Sequence, residues 1–304
     1  MDNKLYKFGI DWLNGVCHLE DNFYDFVSCL GKIHKDLDIV NWSLCETGMY
    51  NYKRRFMYRG RPIIQIAYNP LTPDVSETVE LVDLECNNKG IFVSISGDGI
   101  RLLSHLNCLE DVLKYFKSIG FKASRLDVYM DCLDSANPYV DHFTNAFKNF
   151  FTDAVGKPNV RTRLNRTQKN LRQFRMVDSN NKVYYNTELG THSSNFGMFR
   201  LYNKMEELKC GRLSEYSEHM IKEYCQCSDY WWRFEYEVHK DFAGQLFDQI
   251  DLDNFSMSSA YYAVTDKMFA LVERKSAGYT TGQASVTTIW DMYVSELSEN
   301  VCFV

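Results

Sequence analysis

The 304-residue chain is long enough for one or two domains with a sizeable core. Hydrophobic residues make up 45% and charged residues 24%, which excludes wholesale disorder. Lys and Arg total 34 against 40 Asp and Glu, a net charge of −6, so a uniformly basic nucleic-acid coat is excluded and any DNA-binding surface is local. The opening MDNKLYKFGIDWLNG has no apolar stretch of the secretory type, and no apolar run is long enough to span a membrane. Ten cysteines occur without a CxxC, which reads as reduced, small core residues; no zinc knuckle is expected.

In chain order, alternating β-rich residues predict a strand over 5–12. Phe23, Phe26, Val27 and Leu30 fall at i, i+3, i+4, i+7 and predict a helix. Strands follow over 49–58, 62–69, 79–85 and 90–96. Leu109, Val112, Leu113 and Phe116 predict a second helix, with Asn107 and Glu110 placed as a capping box. A strand over 123–132 precedes a third helical stripe of Phe143, Ala146, Phe147 and Phe150. Further strands are predicted over 182–186, 196–203 and 230–240, and a last helix from Ile289, Met292 and Tyr293. Strands cluster in hairpins followed by a helix, without βαβ alternation. The fold class is therefore α+β, a largely antiparallel β-sheet with flanking helices. The same order recurs in both parts of the chain, which suggests two pseudo-repeated halves. Residues 1–304 read as one domain, with a candidate internal seam at Gly156–Pro158.

Period-2 arithmetic sorts the strand residues by face. Arg125, Asp127, Tyr129 and Asp131 share one face. Met198, Arg200, Tyr202 and Lys204 share another. Arg233, Glu235, Glu237 and His239 share a third, together with Trp231. An antiparallel sheet commonly has one wet face, and that is the plain reading of each strand alone. Crowded carboxylates, however, need a cation or an Arg partner. If these strands are neighbours, Asp127, Asp131, Glu235 and Glu237 make an oxygen-ligand set suited to Mg²⁺ or Mn²⁺.

Two stretches are basic and free of acids. Residues 48–73 hold Lys53, Arg54, Arg55, Arg59 and Arg61, interleaved with Tyr50, Tyr52, Phe56 and Tyr58. Residues 156–175 hold Lys157, Arg161, Arg163, Arg166, Lys169, Arg172 and Arg175. Together they carry twelve positive charges, leaving −18 on the rest of the chain. Such segregation suits a polyanion-binding surface, with rings available for stacking unpaired bases. The Gly97-Asp-Gly99 loop lacks the ending of a phosphate-binding P-loop and reads as a tight turn.

Ordered segments resemble the replication initiation factor family: rolling-circle replication initiators of small plasmids and filamentous phages, with related relaxases of conjugative elements. Phe8-Gly-Ile-Asp-Trp12 is similar to the family's first strand. Ile91–Arg101 resembles its V-x-x-S-G-x-G-x-R segment, and Ser124–Asp131 its R-(I/L)-D-x-x-x-D strand. Gly190-Thr-His-Ser193 with Phe199–Glu206 resembles G-S-R-x-S … R-(I/L)-Y-(D/N)-K-x-x-E, and Trp231–Glu237 resembles W-x-R-x-E-x-E. The resemblance spans about residues 8–243; 244–304 is read as a helical part outside it.

The resemblance implies a site-specific, metal-dependent DNA nickase of the relaxase type, acting through a covalent 5′-phosphotyrosine. Tyr202 matches the nucleophile, with Arg200 and Lys204 beside it; Asp127, Asp131, Glu235 and Glu237 match the acidic strand positions. His192 stands where the family usually has Arg, and no His-hydrophobic-His clamp is present. Arg54, Arg55, Arg59, Arg161, Arg163, Arg166, Lys169, Arg172, Arg125 and Arg233 are the candidate DNA contacts. The implied partners are a double-stranded replication origin, single-stranded DNA, a host helicase and a second copy of the chain, in the cytoplasm of a bacterial host cell and away from membranes. Two rivals stay open: a non-catalytic DNA-binding replication or transfer protein, and a metal-dependent nuclease that uses water while Tyr202 is structural.

Overall fold

The protein is described from a computed structural model, over residues 6–17, 23–45, 47–50, 52, 54–69, 90–135, 138–149, 155–162, 171–177, 183–210, 218, 221–222, 230–250, 252, 257–273 and 284–301. The chain is α+β, and its described residues form ten strands in one antiparallel sheet and a smaller three-stranded sheet. No helix among the described residues is long and apolar enough to cross a membrane.

The elements run β1 (Tyr6–Cys17), α1 (Phe23–Ile33), β2 (Trp42–Cys45), β3 (Arg54–Tyr58), β4 (Ile64–Tyr68), β5 (Ile91–Ile95), α2 (Gly97–His105), α3 (Leu109–Ser118), β6 (Lys122–Cys132) and α4 (Tyr139–Lys148). They continue with β7 (Pro158–Thr162), β8 (Leu171–Val177), β9 (Val183–Gly190), β10 (Gly197–Asn203), α5 (Lys204–Cys210), β11 (Trp232–His239), α6 (Lys240–Gln249), α7 (Ser258–Met268), β12 (Phe269–Glu273), β13 (Ser285–Val286) and α8 (Thr288–Val301).

Two compact units result. One comprises Met1–Gly9, Asp127–Phe242 and Gln249–Val304; the other comprises Ile10–Leu126 and Ala243–Asp248. The candidate seam at Gly156–Pro158 lies within the first unit. Gly156, at φ 67°, makes a turn into β7 inside the first unit. The long strands β1 and β6 carry the division instead, each contributing one end to each unit.

In the second unit, β2, β3, β4 and β5 pair antiparallel in sequence order, and β5 pairs with β1. Helix α1 buries Phe23, Phe26, Val27 and Leu30, the stripe its spacing predicts. Phe23 stacks on Phe56 at 4.2 Å between ring centroids and on Tyr68 at 5.4 Å. Rings of this size contribute about 1.5–3 kcal/mol each on burial. The expected capping box on α3 does not form: Cys108 is its N-cap, without a side-chain bond. Asn107 sits at φ 52° with its N–H on the Ser104 carbonyl, so it closes α2 rather than opening α3.

In the first unit, β11, β10, β9 and β8 pair antiparallel. One face of this sheet meets α4, α8 and β12 through an aromatic cluster: Phe143 lies 5.1 Å from Phe234 and 5.0 Å from Tyr293, and Phe199 lies 4.9 Å from Phe269. The buried side of α8 is Trp290, Tyr293 and Leu297; Met292, expected in its core stripe, is 45% exposed. The part from 244 is not wholly helical, because β12 pairs with β7 and β13. Predicted strand 79–85 lies outside the described residues.

Candidate active site

The other face of the β10–β11 ladder carries the polar residues. In register, Met198 stands opposite Glu237, Arg200 opposite Glu235 and Tyr202 opposite Arg233. Direct antiparallel partners share a face, so the two period-2 sets meet side by side. Strand β6 is the other neighbour of β11 and brings Asp127. Two glycines shape the ends of this ladder. Gly197, at φ 132°, lies so close to the Glu237 carbonyl that a Cβ would overlap it, and Gly190, at φ 104°, lies against Gly197 and Met198. Between them runs the loop that carries His192.

The expected wet face is not wet. All eight residues of β11 are buried, with Glu235 at 0% and Glu237 at 1% exposure, and Asp127 at 1%. Buried charges persist only when paired. Arg200 supplies the pairing: its Nη2 contacts Glu235 Oε1, and lies 3.5 Å from Asp127 Oδ2 and 3.7 Å from Glu237 Oε2. Burial opposes the Arg200 charge, but Glu235, Tyr202, Asp127 and Glu237 carry its pKa above the ordinary arginine range. Its Nε–H is buried without an acceptor.

The Tyr202 hydroxyl donates to the remaining oxygen of Glu235, Oε2, at 2.5 Å. Lys204 Nζ lies 3.5 Å from that hydroxyl and 5.5 Å above the ring, and is held by Glu207 Oε2 at 2.9 Å, one turn along α5. Strand β10 passes into α5 without a loop, which keeps Tyr202 and Lys204 at fixed spacing. Glu237 Oε1 meets His192 Nδ1 at 2.8 Å and His239 Nε2 at 2.7 Å. His239 Nδ1 faces the Ser194 carbonyl at 2.8 Å, so it must be the donor there, and the imidazole ties the 191–196 loop to Glu237.

Asp131 stands apart from the carboxylates it was grouped with. Its two oxygens accept from Arg233 Nε and Nη2 at 2.6 and 2.8 Å, and both residues are fully buried. The Arg233 guanidinium also lies 3.6 Å over the Tyr129 ring. Asp131 is thus held in a bidentate pair sealed from solvent, whereas the other three carboxylates meet Arg200.

The other basic residues scatter. Arg172 is exposed on β8 opposite Glu188, which in turn faces Arg200 on β9–β10, so charges alternate in sign from the exposed edge to the buried acids. Arg161 is half-buried and donates to the Ala284 carbonyl at 3.4 Å. In the second unit, Arg54 and Arg55 are half-buried on β3, Arg55 donating to Gln65 at 3.0 Å; Arg59 is exposed, 3.7 Å from Asp36. Arg125 lies 4.7 Å over the Trp12 ring. Arg163, Arg166 and Lys169 lie outside the described residues.

Three contributors lie outside the site residues expected from the sequence: Glu207, His239 and His192. His239 was legible as the next member of the period-2 set after Glu237. His192 has no positional signal beyond its motif match, because a loop has no period.

No protein-family model matches the chain. No curated protein matches its sequence. By structure, it is similar to a rolling circle replication initiator protein from Geobacillus stearothermophilus, with a TM-score of 0.63, 16% identity, and coverage of 97% of each chain. The likeness establishes the fold, and its coverage takes in most of the region beyond residue 243 that the sequence resemblance left out.

Proposed function

We propose that the protein is a rolling-circle replication initiator that nicks and rejoins DNA through a covalent 5′-phosphotyrosine on Tyr202. The observation that carries this reading is the 2.5 Å hydrogen bond from the Tyr202 hydroxyl to the buried carboxylate of Glu235. A free phenol, with a pKa of about 10, is a poor nucleophile near neutrality. A carboxylate in hydrogen-bond reach can take its proton as the oxygen attacks. The phosphorus–oxygen bond to Tyr202 forms, the bond to the 3′-oxygen breaks, and that oxygen leaves as a 3′-hydroxyl after taking a proton from solvent. Lys204, 3.5 Å away, stabilises the negative charge on the phenolic oxygen, and Glu207 orients Lys204. The phosphotyrosine retains the bond energy, so the reverse reaction rejoins the strand.

The donor chemistry fits a Mg²⁺ or Mn²⁺ ion. Asp127, Glu235 and Glu237 turn hard oxygen atoms toward one point, the Nη2 of Arg200. Among the described residues no group of three or more His, Cys, Asp or Glu side chains is arranged to hold a metal as the chain stands. A cation bound there supplies charge neutralisation at the scissile phosphate. Exposed Arg172 and Arg59 are candidates to meet the DNA backbone, each in its own unit. A second copy of the chain and a host helicase belong to the same reading.

The test is a supercoiled plasmid bearing the cognate origin, with Mg²⁺ or Mn²⁺, followed by a denaturing gel and peptide mapping. Open circles and protein linked to the 5′ end through Tyr202 are expected, and Tyr202→Phe binds DNA without forming the adduct. Nicking without linked protein points to a water-using nuclease. Origin binding with no nicking in either metal points to the non-catalytic DNA-binding role.

A further inference from the structure

We infer that Arg200 is a resident counter-ion: it occupies the acidic pocket of the DNA-free protein and moves to the scissile phosphate when a divalent cation takes its place. The inference rests on the metal-dependent reading above and extends it, because it makes metal loading and DNA binding reinforce one another.

Four observations carry it. A single nitrogen, Arg200 Nη2, lies within 4.0 Å of oxygens from Asp127, Glu235 and Glu237, so it stands at the point where a cation would gather the same donors. Three carboxylates face the one guanidinium there, and Glu237 also meets His192 and His239. The Arg200 side chain is 26% exposed, whereas the three acids are at 0–2%, so the arginine is the part of the cluster that can reach outward without unpacking β11. Its Nε–H is buried without an acceptor, so the guanidinium gains a hydrogen bond if it moves out to a phosphate oxygen. Lys204 does not compete for that role, because Glu207 and Tyr202 hold it.

The consequences are reciprocal. Arg200 and a dication repel one another in a place screened little by water, so Arg200 lowers the metal affinity of the DNA-free protein. A phosphate that draws Arg200 away raises that affinity, and the metal raises DNA affinity by the same factor.

The experiment measures Mn²⁺ binding by the electron paramagnetic resonance signal of free Mn²⁺, in a Tyr202→Phe background so that nothing turns over. R200Q is compared with the parent and with R200K, which keeps a cation and guards against loss of fold; circular dichroism checks each. R200Q is expected to bind Mn²⁺ at least about tenfold more tightly, with R200K between, within the usual range of couplings between sites. A single-stranded oligonucleotide of the origin is expected to tighten Mn²⁺ binding in the parent and to leave R200Q unchanged. Equal or weaker Mn²⁺ binding by R200Q overturns the inference, as does a DNA effect of the same size in both proteins. Binding that depends on Glu235 but not on Arg200 sinks this inference alone. If no variant binds Mn²⁺ in stoichiometric amount, the metal-dependent reading falls with it.

Discussion

Tyr202 and Glu235 belong to adjacent antiparallel strands, one register step apart, and the phenol hydroxyl reaches across the step to a carboxylate with no solvent exposure. The second oxygen of Glu235 is held by Arg200. The acceptor is therefore oriented from one side and faces the phenol on the other. Rigid strands hold such geometry better than loops do, since neighbouring ladders fix both partners.

Glu235→Gln is expected to slow formation of the tyrosine–DNA adduct by about 10²- to 10⁴-fold, because the amide keeps the shape but cannot accept the proton. Origin binding by mobility shift should stay within a few fold. Single-turnover cleavage at near the parent rate would remove Glu235 as the base.

The Asp131–Arg233 pair is expected to act on stability rather than on DNA contact. Asp131→Ala leaves a fully buried guanidinium without its partner, at a cost of about 3–5 kcal/mol. Replacing both together, as Asp131→Leu with Arg233→Met, is expected to recover most of that loss. Urea denaturation of the three variants measures it. Additive losses in the double variant would show that the pair is not the coupled unit described.

Alkaline pH is expected to weaken the fold through buried thiols. Burial pushes the Cys132 thiol up to about 12, with the Asp134 and Asp131 charges adding and a backbone hydrogen bond from Asp134 opposing. Burial, then Asp111 and Asp36, pushes Cys108 up to about 11. The unfolded chain ionises these thiols near 9.0 while the folded chain keeps the protons, so their contribution is complete below pH 9 and is lost as pH rises toward 11 and 12. Cys45 goes the other way: hydrogen bonds from Thr47 and Arg55 lower its pKa. Timed alkylation of the native protein at pH 8 with peptide mass spectrometry should label Cys45 well before Cys108 or Cys132. Labelling in the reverse order would contradict the burial described.

What was legible in the sequence depended on periodicity. The stripe of α1 was readable because its four apolar residues must all face one core, and the acids of β6 and β11 were readable because a strand alternates faces. Strands β7 and β8 were missed: they lie in a basic run, and the charge of Arg172 is answered by Glu188 on the next strand, so no apolar alternation marks them. The same limit explains Met292, where a short stripe of three residues fits two adjacent helix faces and only the partners of α8 select Trp290, Tyr293 and Leu297.

From the residues alone came the α+β class, the faces of three polar strands and the companionship of Arg200, Tyr202 and Lys204, all of which follow from local geometry. Which carboxylate pairs with which arginine was decided only by the folded chain. Asp127 and Asp131 share a face and a chemistry, yet one joins Glu235 and Glu237 at Arg200 and the other is sealed against Arg233. The choice is set by strand register and burial, long-range quantities that no spacing within a single strand encodes.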